Sequence, residues 1–217
     1  MIKGILFDMD GLMFNTEELV FTIFAEKAKE KGLQLDEEVY KNCMGAGING
    51  RKWMEKNRPE LAKIEFTYEE EIAYRDAHYE KGDLNMPGLE ELYRYLKNAG
   101  YKIALGSNSP LRWVESMLEF SGIDFVFDAM SVGEAKLPLK PDPAIYLDLA
   151  QKLGLPIEEC LVVEDSMPGI HAGFNGGFKT ALIEALAPID EKTRAEATYR
   201  PKDLAQLITI LEDEKID

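Results

Sequence analysis

Soft metal ligands are scarce in this chain. Its 217 residues include two cysteines, Cys43 and Cys160, and two histidines, His78 and His171. The cysteines stand far apart and without metal-type spacing, so no disulfide framework is expected, and their usage suits a reducing cytosol. Two histidines cannot build a zinc site without other ligands. Basic residues are outnumbered: 25 Lys and Arg face 40 Asp and Glu, for a formal charge of −15. Such a surface repels phosphate backbones and anionic lipid, which sets aside nucleic acid and membranes as partners. No apolar run reaches the ~18 residues of a membrane span. Asp8 and Asp10 interrupt the first apolar run too early for a signal peptide. The expectation is a cytoplasmic protein, monomeric by default. Any anionic substrate needs the local field reversed, and a divalent cation is the obvious means.

What the chain has is ordinary globular composition, with 46% apolar and 30% charged residues. At this length a fold buries roughly 70% of the surface of the unfolded chain, as one domain or one domain with an insertion. Ile2 to Phe7 reads as a short buried strand closed by Asp8, Asp10 and Gly11. Thr16 is a plausible N-cap, followed by Leu19, Ile23, Phe24 and Ala28 at helical spacing. From Asp36 to Gly82 the signals are helical or loop: a helix over Glu37 to Cys43, a glycine turn at Gly45, Gly47 and Gly50, then two helices separated near Pro59. After Pro87-Gly88 the character changes. Helices over Leu89 to Asn98, from Pro110, over Ala144 to Leu153 and from Pro168 alternate with strands at Lys102 to Leu105, Phe125 to Ser131, Cys160 to Val163 and Thr180 to Ile183. A helix over Leu204 to Leu211 closes the chain, and 213–217 are expected to fray. Alternation of this kind predicts an α/β fold, a Rossmann-like parallel sheet with helices on both faces. The all-helical stretch breaks the alternation, so residues 15–83 are expected to form an inserted cap and residues 1–14 and 84–217 the core.

Ligands of open parallel sheets bind beyond the carboxyl ends of the strands. Four polar clusters fall there: Asp8 to Gly11, Ser107-Asn108, Lys140-Pro141 and Glu164-Asp165. Carboxylates gathered at buried strand ends repel one another unless a cation holds them. Oxygen donors with little imidazole or thiolate favour a hard cation, Mg²⁺ first. In such a site a carboxylate can attack phosphorus, lysine and a hydroxyl can hold the transferring group, and a second Asp two residues on can act as acid and then base.

The stretches Phe7-Asp8-Met9-Asp10-Gly11-Leu12, Ile103 to Ser109, Lys140-Pro141-Asp142-Pro143, and Val163-Glu164-Asp165-Ser166 with Pro168-Gly169-Ile170 together resemble the haloacid dehalogenase-like superfamily. The match extends to the subgroup with a helical cap after the first strand, which holds β-phosphoglucomutases and many sugar-phosphate phosphatases. The resemblance implies that Asp8 is nucleophile and metal ligand. Asp10 is implied as general acid/base, giving its carbonyl oxygen to the metal. Ser107 and Lys140 hold the phosphoryl group, Asn108 lies near it, and Asp165 ligates the metal, with Glu164 beside it either as a further metal ligand or one layer behind. Family dehalogenases lack a carboxylate at the position of Asp10, so its presence favours phosphoryl transfer to or from a small phosphorylated metabolite.

Two departures bear on the reaction. Asn15 stands where the family commonly has Asp, which is expected to disturb the cap hinge. Val20 stands where β-phosphoglucomutases carry a histidine that helps return the sugar phosphate. Hydrolysis of a small phosphomonoester is therefore the favoured reading and a phosphomutase the alternative. The intact set of Asp8, Asp10, Lys140 and Asp165 argues against a regulator without turnover. In the cap, Arg51 or Lys52 meets an anionic group of the substrate, or the segment from Gly45 is a plain glycine turn before a solvated helix. Ser107 has a rival reading as the N-cap of the Pro110 helix, and Lys136 competes with Lys140. Arg75 and Lys81 read as surface charges and Trp113 as packing. Cys43, Cys160 and His171 receive no role.

Overall fold

The computed structural model describes residues 1–43 and 47–215, with the backbone alone for 47–49. Strands β1 (Gly4–Phe7), β2 (Lys102–Gly106), β3 (Ala129–Ser131), β4 (Cys160–Glu164) and β5 (Lys179–Leu182) form one sheet in the order β3-β2-β1-β4-β5. Every pairing is parallel, with Phe7 opposite Leu105 on one side and Val163 on the other. The first strand is thus central, and chain direction across the sheet reverses beside it. Such a switch point opens a crevice at the carboxyl ends of the strands.

Helices α1 (Thr16–Glu30), α2 (Glu37–Cys43), α3 (Gly47–Asn57) and α4 (Tyr68–His78) precede α5 (Leu89–Asn98), α6 (Leu111–Phe120), α7 (Ala144–Leu153), α8 (Met167–Asn175), α9 (Glu191–Glu196) and α10 (Leu204–Asp213). The strands bury both faces, which is why they read as continuous apolar runs. Ile5, Phe7, Ile103 and Leu105 face a core closed by α5, α6 and α10. Leu6, Ala104 and Val162 face the opposite side, against α7 and α8. Full burial of side chains such as Leu6 contributes about 1.5–3 kcal/mol each, so a one-residue slip of register would exchange the two cores.

The helical stretch between β1 and α5 carries an apolar cluster of its own, centred on Phe24, Ala28, Val39, Leu61 and Ile64. Its two connections run side by side: the Asn15 amide donates to the Leu84 carbonyl at 2.8 Å and the Met86 amide to the Met13 carbonyl at 2.9 Å. Among the described residues no helix is long and apolar enough to cross a membrane.

Several local expectations require correction. Thr16 is the first helical residue rather than a cap; Asn15 precedes it and donates to Glu18 Oε2 at 2.6 Å. Gly47 and Gly50 lie within α3, while Gly45 falls outside the described residues. Only Ala129–Ser131 of the Phe125 to Ser131 run pairs as strand. Phe125 and Phe127 stack on each other and pack against the larger core. Helix α10 ends at Asp213, and of the residues expected to fray, 216 and 217 lie outside the described residues. Arg75 is buried at 4% exposure, not a surface charge. Its guanidinium donates from α4 to the Ser116 carbonyl at 3.0 Å and hydroxyl at 2.8 Å, and lies 4.2 Å from the centre of the Phe120 ring. A cation that finds acceptors and a π face can be buried; here it fastens the helical insertion to α6.

Candidate active site

The carboxyl ends of β1, β2 and β4 converge on one acidic crevice. Asp8 follows β1 directly, and its amide donates to the Val163 carbonyl at 3.0 Å, so the backbone still follows the sheet where the side chain emerges. One oxygen each of Asp8, Glu164 and Asp165 lies within 4.8 Å of the others, and all three residues are buried. Burial first, and the charge of Glu164 second, push the Asp8 and Asp165 carboxyls well above the usual carboxylate range.

Lys140 answers part of that charge. Its ammonium contacts Asp8 Oδ1 and donates to Glu164 Oε1 at 2.7 Å and to the Gly106 carbonyl at 2.9 Å. Burial works against its charge, but Asp8 and Glu164 outweigh burial and hold it above the ordinary lysine range. Glu164 commits both oxygens. Oε1 accepts from Lys140 and, at 2.7 Å, from the Tyr146 hydroxyl, while Oε2 accepts from the Asp165 and Ser166 amides and the Ser166 hydroxyl. Gly169 makes room for this carboxylate, since a Cβ there would meet Glu164 Oε1 at 1.7 Å. Glu164 is therefore the anchor of Lys140.

Asp165 differs: its Oδ1 is buried with no hydrogen-bond partner among the described residues. A buried unpaired carboxylate oxygen is costly, and here it sits with Asp8 in an all-oxygen donor set. That set fits a hard divalent cation. Gly11 supports the approach. Its φ of +84° suits glycine, and a Cβ would meet Asp165 Oδ2 at 2.1 Å.

Asp10 points the other way, out of the acidic cluster. Oδ2 accepts from the Ser109 hydroxyl at 2.7 Å and the Ser107 hydroxyl at 3.2 Å, and Oδ1 accepts from the Trp113 indole N–H at 2.9 Å. The helix after Ser107 begins only at Leu111, preceded by Pro110, so Ser107 does not cap it. Asn108 Oδ1 accepts from the Lys140 amide at 3.3 Å. Lys136 sits apart in an exposed loop with φ of 55°. Sequence reading missed Trp113, Ser109, Tyr146 and Glu71 as site residues. Ser109 alone carried a signal, as the second hydroxyl after β2.

Above Asp10 a cavity of about 730 Å³ opens under the helical insertion, walled by Val20, Phe21 and Phe24 of α1 and by Tyr68 and Glu71 of α4. Arg51 borders it too, but donates to Glu65 at 2.6 Å and to Glu55 at 3.4 Å. Lys52 is exposed and does not border the cavity.

Comparison with known proteins agrees with this arrangement. A family model for haloacid dehalogenase-like hydrolases matches residues 2–177. YhcW of Bacillus subtilis is 30% identical over 188 residues, covering 84% of each chain. The phosphorylated carbohydrates phosphatase of Thermotoga maritima is 28% identical over 185 residues, covering 82% of this chain and 83% of the relative. The crystal structure of CbbY from Rhodobacter sphaeroides in complex with phosphate matches with a TM-score of 0.75 at 26% identity, over 95% of this chain and 96% of that one. By family match, sheet order and the clusters at its strand ends, the chain belongs to the haloacid dehalogenase-like hydrolases.

Proposed function

We propose that this protein is a Mg²⁺-dependent phosphatase of small phosphomonoesters, sugar or polyol phosphates foremost, and that residues 15–83 act as its cap. The observation that carries this reading is the opposition of two carboxylates of one β1 turn. Asp8 is held against Lys140 beside the unpartnered Asp165 oxygen, while Asp10 is held by two hydroxyls and an indole at the floor of the cavity. The naming of the Thermotoga relative as a phosphatase of phosphorylated carbohydrates supports the substrate class.

Asp8, Asp165 and the Asp10 carbonyl oxygen would hold the cation, which supplies positive charge to the carboxylates and the phosphoryl oxygens. The steps belong to the chain's own residues. A carboxylate oxygen of Asp8 attacks phosphorus and the bond to the alcohol oxygen breaks. Asp10 delivers a proton to that departing oxygen. Lys140 and Ser107 hold phosphoryl oxygens as the charge redistributes. The product of this half is an aspartyl phosphate on Asp8 and a free alcohol. Asp10, now ionised, takes a proton from water, which attacks phosphorus and restores Asp8 with release of phosphate. The cap covers the cavity during transfer. Val20 borders that cavity where a returning group would need a polar partner, which favours release to water over return to the sugar.

The test is phosphate release from a panel of sugar and polyol phosphates, with Mg²⁺ and with chelator. Metal-dependent release from some of them, lost in Asp8→Asn and in Asp10→Asn, is expected. Isomerised sugar phosphate without free phosphate, or turnover of either variant within about tenfold of the wild type, overturns the assignment.

A further inference from the structure

The cavity over Asp10 has an acidic residue in its wall that no hydrogen bond or ion pair among the described residues answers. Glu71 sits on α4, is 8% exposed, and borders the cavity together with Asp10. Its carboxyl has no hydrogen-bond or ion-pair partner among the described residues, in contrast to its neighbours. Glu70 accepts from Lys27 at 2.8 Å and from the Thr67 amide at 2.8 Å, and Glu65 accepts from Arg51 at 2.6 Å. Arg51, the cation bordering the cavity among the described residues, is already committed to Glu65 and Glu55. Burial first, and the charge of Asp10 second, push the Glu71 carboxyl up to about 7.

Burial of a carboxyl costs hydration, and no side-chain donor of the described residues makes up the loss. The apolar wall of Val20, Phe21 and Phe24 offers none, and the Ser109 hydroxyl is already given to Asp10. A ligand that brings hydroxyl donors recovers the loss. A ligand that brings a second anion meets Glu71, while Arg51, the cation of the described wall, is already paired. We infer that Glu71 is a specificity-determining residue of the cap: it accepts hydrogen bonds from hydroxyls on the alcohol part of the substrate and rejects phosphomonoesters whose alcohol part carries another anionic group. This rests on the phosphatase reading above.

Specificity of this kind is a difference between substrates, so a ratio reads it best. The experiment uses the full chain with Mg²⁺ at pH 8, where the Glu71 carboxyl is ionised, and two probes, sorbitol 6-phosphate and 2-phosphoglycolate. Each is measured as a substrate, or as a competitive inhibitor of p-nitrophenyl phosphate turnover. Because both are measured on one enzyme sample, a loss of folded protein cancels from the ratio. Wild type is expected to prefer the polyol phosphate at least tenfold. Glu71→Gln removes the charge and is expected to lower that preference at least tenfold, with the gain for 2-phosphoglycolate appearing in KM or Ki. Glu71→Lys is expected to reverse it. A ratio that moves less than tenfold in Glu71→Gln overturns the inference even if phosphate release is robust. Absence of p-nitrophenyl phosphate hydrolysis by the wild type, and of any phosphate release, overturns the phosphatase reading itself and this inference with it.

Discussion

Trp113 of α6 donates its indole N–H to Asp10 Oδ1 at 2.9 Å, and the same ring lies 5.6 Å from the ring of Tyr68 at the start of α4. One side chain thus touches the carboxylate proposed as acid and base below and the helical insertion above. Arg75 pins the same two helices together one layer away. The position of the helical insertion and the orientation of Asp10 are mechanically joined through α6.

Removing the indole donor should therefore weaken catalysis while substrate binding persists. A hydrogen bond to a charged group contributes about 1.5–3 kcal/mol, so Trp113→Phe is expected to lower kcat by about 10–100-fold with KM changed far less. Steady-state kinetics beside a circular dichroism spectrum checks this. An unchanged kcat would show that the two serines orient Asp10 alone.

A cation held by Asp8 and Asp165, as proposed, predicts that stability depends on Mg²⁺. Mg²⁺ at 100 times its dissociation constant should stabilise the fold by about 2.7 kcal/mol, a rise in Tm of about 5–10 °C for a chain of this size. Calorimetry with Mg²⁺ and with chelator measures it. Gly11→Ala, whose Cβ would press on Asp165 Oδ2, is expected to abolish the shift. A full shift in that variant would place the cation elsewhere.

Arg75→Met keeps the apolar stem and deletes the charge. The Ser116 carbonyl and hydroxyl then lose a buried donor, at a cost of about 2 kcal/mol. Urea denaturation is the readout. The same substitution should raise KM, because the insertion is less firmly seated on α6.

Glu71 gives stability a pH dependence with a definite sign. Its carboxyl is pushed from 4.5 to about 7 in the folded chain, so the folded state binds its proton more tightly than the unfolded state does. Stability is drained as pH rises through that window and the full loss is reached above about 7. Glu71→Gln is therefore expected to stabilise by on the order of 2 kcal/mol at pH 8 and by almost nothing near pH 4.5. Denaturation curves at the two pH values decide it; equal effects at both would mean that Glu71 ionises normally.

Much of the architecture is legible from local pattern. Helices α2, α5 and α7 begin and end where their apolar spacing and flanking Gly or Pro indicate. The strand cores follow from short apolar runs closed by acidic residues. The misreadings share a cause. Phe125 and Phe127 look like strand residues because aromatic alternation is common to strands and to loops that plug a core. Arg75 looks like a surface charge because helical spacing cannot see a facing carbonyl and an aromatic ring on another helix.

By itself the sequence determined the order of strands and helices, the place of the helical insertion, and the kinds of groups at the strand ends, because hydrophobic period and turn residues act over a few neighbours. It determined that Asp8, Asp10, Lys140 and Asp165 would share one sheet edge, because parallel strands bring their carboxyl ends together. Only the tertiary structure decided which partner each group received. Glu164 anchors Lys140 from 24 residues away, Trp113 reaches Asp10 across 103 residues, and the Glu71 carboxyl borders the cavity with no side-chain partner among the described residues. Those choices depend on side-chain direction and distance between elements, to within an ångström, and no local pattern in a chain encodes them.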